Sequence, residues 1–275
     1  MMTSIDTLSV QRPNLPAGHV DLWYCYLDRI TNSSQLNQYY ELLSVRERDC
    51  LARFRLDRVC KEYLVARALV RCVLSHYTDV SPDHWNFIAE NHGKPVVQSP
   101  WEGYGAFNLS HSSGLVICAV AAGGQVGADV ESLDRKTTGI PLARRFFSRQ
   151  EVDLLCQAPE HEWQELFLQI WTLKESYIKA IGHGLSMPLD RFFFTLPDDG
   201  PPELYLTEQA ASPQTGWQFA QLRLPSRHHI SVAISPEDQN ADMVVHAREM
   251  IPLEGAVSGD PAICSSANNW CFLNG

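Results

Sequence analysis

Two carboxylates stand two residues apart in Gly127-Ala128-Asp129-Val130-Glu131. On an extended strand, side chains two apart share a face, so Asp129 and Glu131 point the same way. Such a pair repels and is costly to bury unless a cation neutralises it. An all-oxygen pair suits a hard ion such as Mg2+, which takes a few carboxylates, waters and substrate phosphates. A second group lies in Trp171-Thr172-Leu173-Lys174-Glu175-Ser176-Tyr177-Ile178-Lys179. Helical spacing puts Glu175 and Lys179 on one face. A third comprises Gly93-Lys94-Pro95 and Phe107-Asn108-Leu109-Ser110-His111-Ser112. A lysine held between Gly and Pro offers an anion a point charge from a rigid turn, and Ser110, His111 and Ser112 offer hydroxyl and imidazole donors. Each pattern also has a plain structural alternative: a solvated strand face, an exposed i,i+4 ion pair, a turn histidine bonded to backbone. Lysine usage argues for reading the patterns together. Of five lysines in the chain, Lys94, Lys174 and Lys179 fall inside them and Lys61 lies in a basic stretch, leaving only Lys136 outside.

The elements that must position these residues follow from periodicity. Val20 to Leu27 alternates as a strand does. Helices are predicted over 35–50 and 57–77, the second with Val59, Tyr63, Ala66, Val70, Val73 and Tyr77 at helical spacing. Phe107 to Leu109 is a short strand running into a Ser-His-Ser-Ser-Gly turn, with Leu115 to Ala121 as its partner. Gly123-Gly124 signals a hairpin leading into a strand over Val126 to Glu131, and Asp134 to Thr138 reads as a loop. Helices resume over 141–157 and 161–181, the latter ending at Gly182 or Gly184. Four strands follow as a meander: 191–196, 204–207, 217–224 and 229–235. The expected organisation is a leader over 1–19, an N-terminal half over 20–122, and a C-terminal half over 123–235 carrying the acidic motifs. Residues 236–275 read as a largely unstructured tail, with room for one strand near Met243 to Ile251. No internal repeat is visible in the sequence.

Composition narrows the function classes. The net charge of -10 argues against a general nucleic-acid binder. One stretch goes the other way: Arg46, Arg48, Arg53, Arg55, Arg58, Lys61, Arg67 and Arg71 face only Glu47, Asp49, Asp57 and Glu62, a local excess suited to phosphates or an acidic partner. The eight cysteines form no CxxC or Cys/His ligand pattern, so neither zinc nor a redox dithiol is indicated. No segment has the ~18 apolar residues of a membrane span, and no signal-peptide pattern opens the chain. A reduced, cytoplasmic protein with no membrane partner is expected.

The ordered set of motifs resembles the 4′-phosphopantetheinyl transferase superfamily, in its larger single-chain, surfactin-synthetase-activating type. The family's Gly-x-Asp-x-Glu stands at 127–131 and its Trp-x-x-Lys-Glu-x-x-x-Lys at 171–179. Gly-Lys-Pro at 93–95, Phe-Asn-Leu-Ser-His-Ser at 107–112, Arg-Phe-Phe-Ser at 145–148 and Gly-Leu-Ser-Met-Pro-Leu-Asp at 184–190 match flanking segments. The likeness covers roughly residues 20–235. It implies an α+β fold, a monomeric pseudodimer of two similar halves. Each half is an antiparallel sheet packed with helices, and coenzyme A lies in the cleft between them. It implies that Asp129, Glu131 and Glu175 hold Mg2+, that Glu175 and Lys179 are catalytic, and that Lys179 also meets a phosphate. Arg58, Lys94, Ser110 and His111 are implied contacts of the nucleotide phosphates. The implied reaction carries phosphopantetheine from coenzyme A to a serine of an apo acyl or peptidyl carrier protein. Arg46, Arg48, Arg53 and Arg55 are candidates for carrier docking. A module that binds coenzyme A or a carrier without turnover is the alternative. Two departures stand out: Ala128 replaces a larger aliphatic, and Glu90-Asn91-His92 precedes Gly93 where some relatives are basic.

Overall fold

The first strand, β1 (His19–Tyr26), is buried on both faces. Leu22 belongs to one apolar cluster, while Trp23 and Cys25 belong to another. The computed structural model describes residues 13–89, 95–98, 105–136, 139–182, 187–209, 211–265 and 271–272. The expected leader is therefore described only from Pro13.

After β1 come α1 (Ser33–Glu41), α2 (Val45–Leu51) and α3 (Asp57–His76), then β2 (Phe87–Ala89) and β3 (Pro95–Val97). The hairpin β4 (Ala106–Ser112) and β5 (Leu115–Ala121) completes the first half. The second half repeats this plan. It runs β6 (Gln125–Ser132), α4 (Ile140–Phe146), α5 (Arg149–Gln157), α6 (Trp163–Ile181), β7 (Phe192–Thr195) and β8 (Glu203–Leu206), ending in the hairpin β9 (Gln218–Leu224) and β10 (His228–Ser235). In each half the first strand pairs antiparallel with the last, β1 with β5 and β6 with β10. The penultimate strand closes a hairpin on the last, β4 on β5 and β9 on β10. The α+β pseudodimer is thus present in the topology, and the halves meet between Ala121 and Gln125.

Both long helices expected near the starts of the halves are broken in two, for one reason. Ser44 and Ser148 each cap a new helix: the N–H of Glu47 donates to Ser44 Oγ at 3.4 Å and that of Glu151 to Ser148 Oγ at 3.3 Å. Glu47 and Glu151 return the bond to the serine backbone N–H, completing capping boxes that favour a fresh start over a continued helix. The same glutamates anchor buried cations. Arg71 Nη2 lies 2.6 Å from Glu47, and Lys174 Nζ lies 2.8 Å from Glu151. The expected four-strand meander is also divided. β7 pairs only with β8 in a two-stranded hairpin, whereas β9 and β10 join the sheet of β6.

Residues 236–275 depart from an unstructured tail. β11 (Val244–Ile251) pairs parallel with β1 over His19–Tyr24, and β13 (Ala262–Ser265) pairs with β11. Short β12 (Gly255–Ala256) also adds to β11, while β14 (Cys271–Phe272) joins β9 of the other sheet. Met243, Val245, Ala247 and Met250 are buried, and that apolar payload is why a segment rich in small and polar residues is nevertheless held. Cys25, Cys50, Cys60, Cys72, Cys118 and Cys156 are free, but Cys264 on β13 is disulfide-bonded. This departs from a fully reduced chain, and sequence alone does not give such pairings.

The inner faces of the two sheets share one core, to which Leu22, Ile117, Val130, Leu222, Ile230 and Val245 contribute. α3 covers the outer face of the first sheet and α6 that of the second. At the join, β4 and β6 are free edges of different sheets, and β6 lies against α6. Gly127 makes that approach possible. A Cβ built there would lie 2.0 Å from the Ser176 carbonyl oxygen and 2.5 Å from the Ala180 nitrogen.

Candidate active site at the seam

β6 presents Asp129 and Glu131 toward α6, which brings Glu175 and Lys179. Asp129 and Glu131 are 6% and 7% exposed, deep enough that repulsion between carboxylates is poorly screened. Lys179 answers part of the charge. Its Nζ lies 2.5 Å from Asp129 Oδ1 and also donates to Ser110 Oγ at 2.8 Å. Ser110 in turn donates to Asp129 Oδ1 at 2.8 Å, and Ser112 to Glu131 Oε2 at 2.8 Å. Arg135 closes on the other Glu131 oxygen, Oε1. Burial, then the neighbouring Asp129, raises the Glu131 carboxyl above its usual range, against the pull of Ser112, Arg135 and Lys179. Glu175 is pushed further, to about 7, by burial and by Asp129, with Lys179 opposing.

The structure therefore brings together Asp129, Glu131, Glu175, Lys179 and Ser110. It separates Ser110 from His111, which sequence had grouped as phosphate contacts. On a strand these neighbours face opposite ways. Ser110 faces β6, while His111 Nδ1 sits 2.8 Å from Glu62 Oε1 on α3. That side of β4 borders a cavity of about 430 Å3 lined by Phe54, Val59, Glu62, Tyr63, Arg67 and Pro95 together with His111. Arg58 is exposed in the first turn of α3, one residue before Val59. Lys94 and the Gly184-Leu185-Ser186 part of the last flanking segment lie outside the described residues. Of the basic stretch, Arg48 pairs with Glu41, and both Arg67 and Arg71 pair with Glu47; Arg46, Arg53 and Arg55 are exposed.

One lysine of the motif has another task. Lys174 is fully buried and donates to the carbonyls of Leu189 and Phe192 at 2.7 and 2.6 Å besides its contact with Glu151. Burial lowers its amine and raises the Glu151 carboxyl, and a full set of donors and acceptors compensates both. Sequence reasoning gave no role to Glu62 or Arg135. Ser112, read with Ser110 and His111 as a donor to an anion, gives its hydrogen bond to the Glu131 carboxylate instead. Glu62 and Arg135 had none beyond their charge.

The second half, residues 125–233, matches the family model described as the 4′-phosphopantetheinyl transferase superfamily. The first, residues 31–123, matches that of the 4′-phosphopantetheinyl transferase N-terminal region. The chain is 36% identical over 177 residues to 4′-phosphopantetheinyl transferase HetI of Nostoc sp., covering 63% of this chain and 74% of HetI. The chain belongs to the 4′-phosphopantetheinyl transferase superfamily. It is also 32% identical over 175 residues to 4′-phosphopantetheinyl transferase Sfp of Bacillus subtilis, covering 64% of this chain and 76% of Sfp. The L-aminoadipate-semialdehyde dehydrogenase-phosphopantetheinyl transferase of Rattus norvegicus is 27% identical, covering 72% of this chain and 70% of that protein. The two matched phosphopantetheinyl transferase regions abut at Gly124, where the sheets meet. Among the described residues, no helix is long and apolar enough to cross a membrane.

Proposed function

We propose that this phosphopantetheinyl transferase moves 4′-phosphopantetheine from coenzyme A to a serine of an apo acyl or peptidyl carrier protein, releasing adenosine 3′,5′-bisphosphate. The observation that carries the reading is the meeting of Asp129, Glu131, Glu175 and Lys179 from one half with Ser110 and Ser112 from the other. Such a site gathers acid, base and ammonium where the two halves meet.

The residues fit a divalent cation. Asp129 Oδ2 is buried without a hydrogen-bond partner among the described residues, and Glu175 sits at about 7. Both are marks of a site short of positive charge, and an all-oxygen donor set suits Mg2+. Among the described residues no group of three such ligands converges on one point. Asp129, Glu131 and Glu175 would hold the ion. When bound, it supplies charge that steadies the diphosphate and the departing nucleotide.

The serine oxygen forms a bond to the phosphorus bearing pantetheine, and the bond from that phosphorus to the bridging oxygen breaks. The serine proton passes to the Glu175 carboxylate, directly or through one water. Lys179, 27% exposed, faces the oxygens on which charge builds. Arg58, Lys94 and His111 bind the nucleotide phosphates, His111 from the mouth of the cavity under β4. Exposed Arg46, Arg53 and Arg55 offer an acidic carrier a positive surface. Both halves of the site come from one chain, which suits a monomer.

Apo carrier incubated with coenzyme A and Mg2+ should gain the mass of one phosphopantetheine. Unchanged mass across fatty-acid, polyketide and peptide carriers would overturn the reading. Glu175→Gln should reduce transfer by roughly 10^2–10^4-fold, with the fold intact by circular dichroism.

A further inference from the structure

We infer that Thr172 and Ser231 are positioning residues: a closed ring of buried hydrogen bonds through them fixes where α6 stands on the second sheet, and so where Glu175 stands over Asp129. The inference rests on the functional reading above.

The ring joins two residues of α6 to two of the sheet. Gln169 Nε2 donates to Gln221 Oε1 at 3.0 Å, and Gln221 Nε2 donates to Ser231 Oγ at 3.4 Å. The Ser231 and Thr172 hydroxyls meet at 2.7 Å, and Thr172 Oγ1 donates to the Gln169 carbonyl at 3.1 Å. Thr172 has one hydroxyl proton, so Ser231 is the donor between the two hydroxyls and each link finds its acceptor. All four residues are buried. On the sheet, Gln221, Ser231 and Asp129 are paired neighbours across β9, β10 and β6, one row that ends at the acid. On α6, Thr172 precedes Glu175 by three residues, so both stand on one side of the helix. The ring therefore ties helix to sheet one strand from Asp129 and one turn from Glu175.

The first half shows what else could hold a helix there. Arg71 of α3 and Lys174 of α6 each meet the glutamate of a capping box. Aligned on that pair, Ala66 and Leu69 are the counterparts of Gln169 and Thr172. The matching strand pairings make Leu109, Cys118 and Trp23 the counterparts of Gln221, Ser231 and Asp129. All five belong to one apolar cluster or pack against it. A buried hydrogen-bonded pair gains little stability over apolar groups of the same shape, so stability does not account for the ring. What it adds is direction. Apolar burial is non-directional and tolerates a small slide of the helix, whereas hydrogen bonds hold only over a narrow range of distance and angle. Of the two helices, α6 is the one that carries a carboxylate to other carboxylates, and it has the ring.

The test uses the full-length protein and two opposed variants. Thr172→Val combined with Ser231→Ala removes both hydroxyls and keeps the shapes, and Gln221 Nε2 still has the Gln169 carbonyl at 3.5 Å. Its melting temperature should hold within about 4 °C. With saturating coenzyme A and no carrier, Mn2+ followed by electron paramagnetic resonance should bind this variant roughly 10-fold more weakly. In turnover, kcat at saturating Mg2+ should fall roughly 10-fold or more, while KM for coenzyme A stays within about twofold. Thr172→Ser does the reverse. It keeps the hydroxyl and drops a buried methyl, so it should melt lower yet keep Mn2+ affinity and kcat within about twofold of wild type. Two results overturn the inference. One is unchanged Mn2+ affinity in the double variant, which makes the ring filler. The other is a parallel fall of melting temperature and Mn2+ affinity in either variant, which makes the ring a support for the fold and no more. A wild-type protein that binds Mn2+ with coenzyme A but modifies no carrier counts against the transferase reading alone, because the Mn2+ comparison needs no turnover.

Discussion

Glu175 shows what the site costs the protein. Burial and Asp129 raise its carboxyl from 4.5 to about 7, so the folded state holds the proton more tightly than the unfolded chain does. Below about pH 4.5 both states carry the proton and nothing is lost. As pH rises from there to about 7 the unfolded state ionises first, and stability falls. Metal-free protein should therefore lose melting temperature across that window. Glu175→Gln should remove the Glu175 share of the loss, melting higher than wild type at pH 8 by roughly 2–4 °C per kcal/mol relieved and matching it near pH 4.5. Differential scanning calorimetry at the two pH values decides; a variant less stable at pH 8 would show that the ionised carboxylate is well satisfied. The acidic residues were legible because their spacing is tied to chemistry. Lys174 was not: it lies one residue, and so about 100° of helix, from Glu175. Counting it with the anion-binding lysines missed that rotation, which turns it into the core against Glu151.

At the level of elements, the glycine of Gly127-Ala128-Asp129-Val130-Glu131 matters as much as its acids. α6 carries Glu175 and Lys179, and it can reach β6 only where no Cβ intervenes. Gly127→Ala would drive a methyl into the Ser176 carbonyl and the Ala180 nitrogen, both backbone, so the helix must move. Overpacking of this kind typically costs about 1–3 kcal/mol. Melting temperature and metal affinity should fall together, although no ligand is altered; a fall in melting temperature with metal affinity unchanged would show that α6 is not set by this contact. The Glu151–Lys174 pair fixes α5 to α6 in another way. Lys174→Ala would leave a buried carboxylate unpaired, a loss of roughly 3–5 kcal/mol, read by urea denaturation. A change under 1 kcal/mol would mean that Glu151 takes up a proton and needs no partner. The helix breaks at Ser44 and Ser148 were available in sequence as Ser-x-x-Glu, yet the apolar periodicity runs through them and suggests single helices. The split of the meander had no local signal, because which strand a hairpin joins is decided by the sheet it meets.

The two halves carry related strand–helix corners, and only the second holds acids. By the matching pairings of β1 with β5 and β6 with β10, Trp23 and Cys25 stand where Asp129 and Glu131 do. Aligning Arg71 with Lys174 places Cys72 and His76 where Glu175 and Lys179 stand. Trp23, fully buried, and His76, exposed, meet edge to face at 4.8 Å, so aromatic packing stands where the other half has charge. Beyond the Ser-x-x-Glu at 44–47 and 148–151, the duplication leaves little mark in the residues, because the halves share a path more than a chemistry. The chain's own C-terminal segment packs against the first-half corner. β11 takes the free edge of β1, Glu249 pairs with Arg29 at 2.9 Å, and the Leu253 N–H donates to Cys72 Sγ at 3.3 Å. Tyr39 donates to the Pro252 carbonyl at 3.0 Å. A parallel pairing between segments more than 200 residues apart leaves no mark in local periodicity, so the segment read as a tail. Burial now pushes the Cys25 thiol up to about 12 and the Cys72 thiol up to about 11, which keeps both unreactive. A chain ending at Asn240 would expose them and strip Met243, Val245 and Met250 from the core, each worth about 1.5–3 kcal/mol. Against a total stability of about 5–15 kcal/mol, that loss should abolish cooperative unfolding. Maleimide labelling read by peptide mass spectrometry should find Cys25 and Cys72 modified in the shortened chain and protected in the full one. Equal protection in both, with the same melting temperature, would show that the first half closes its own core and that β11 merely rests upon it.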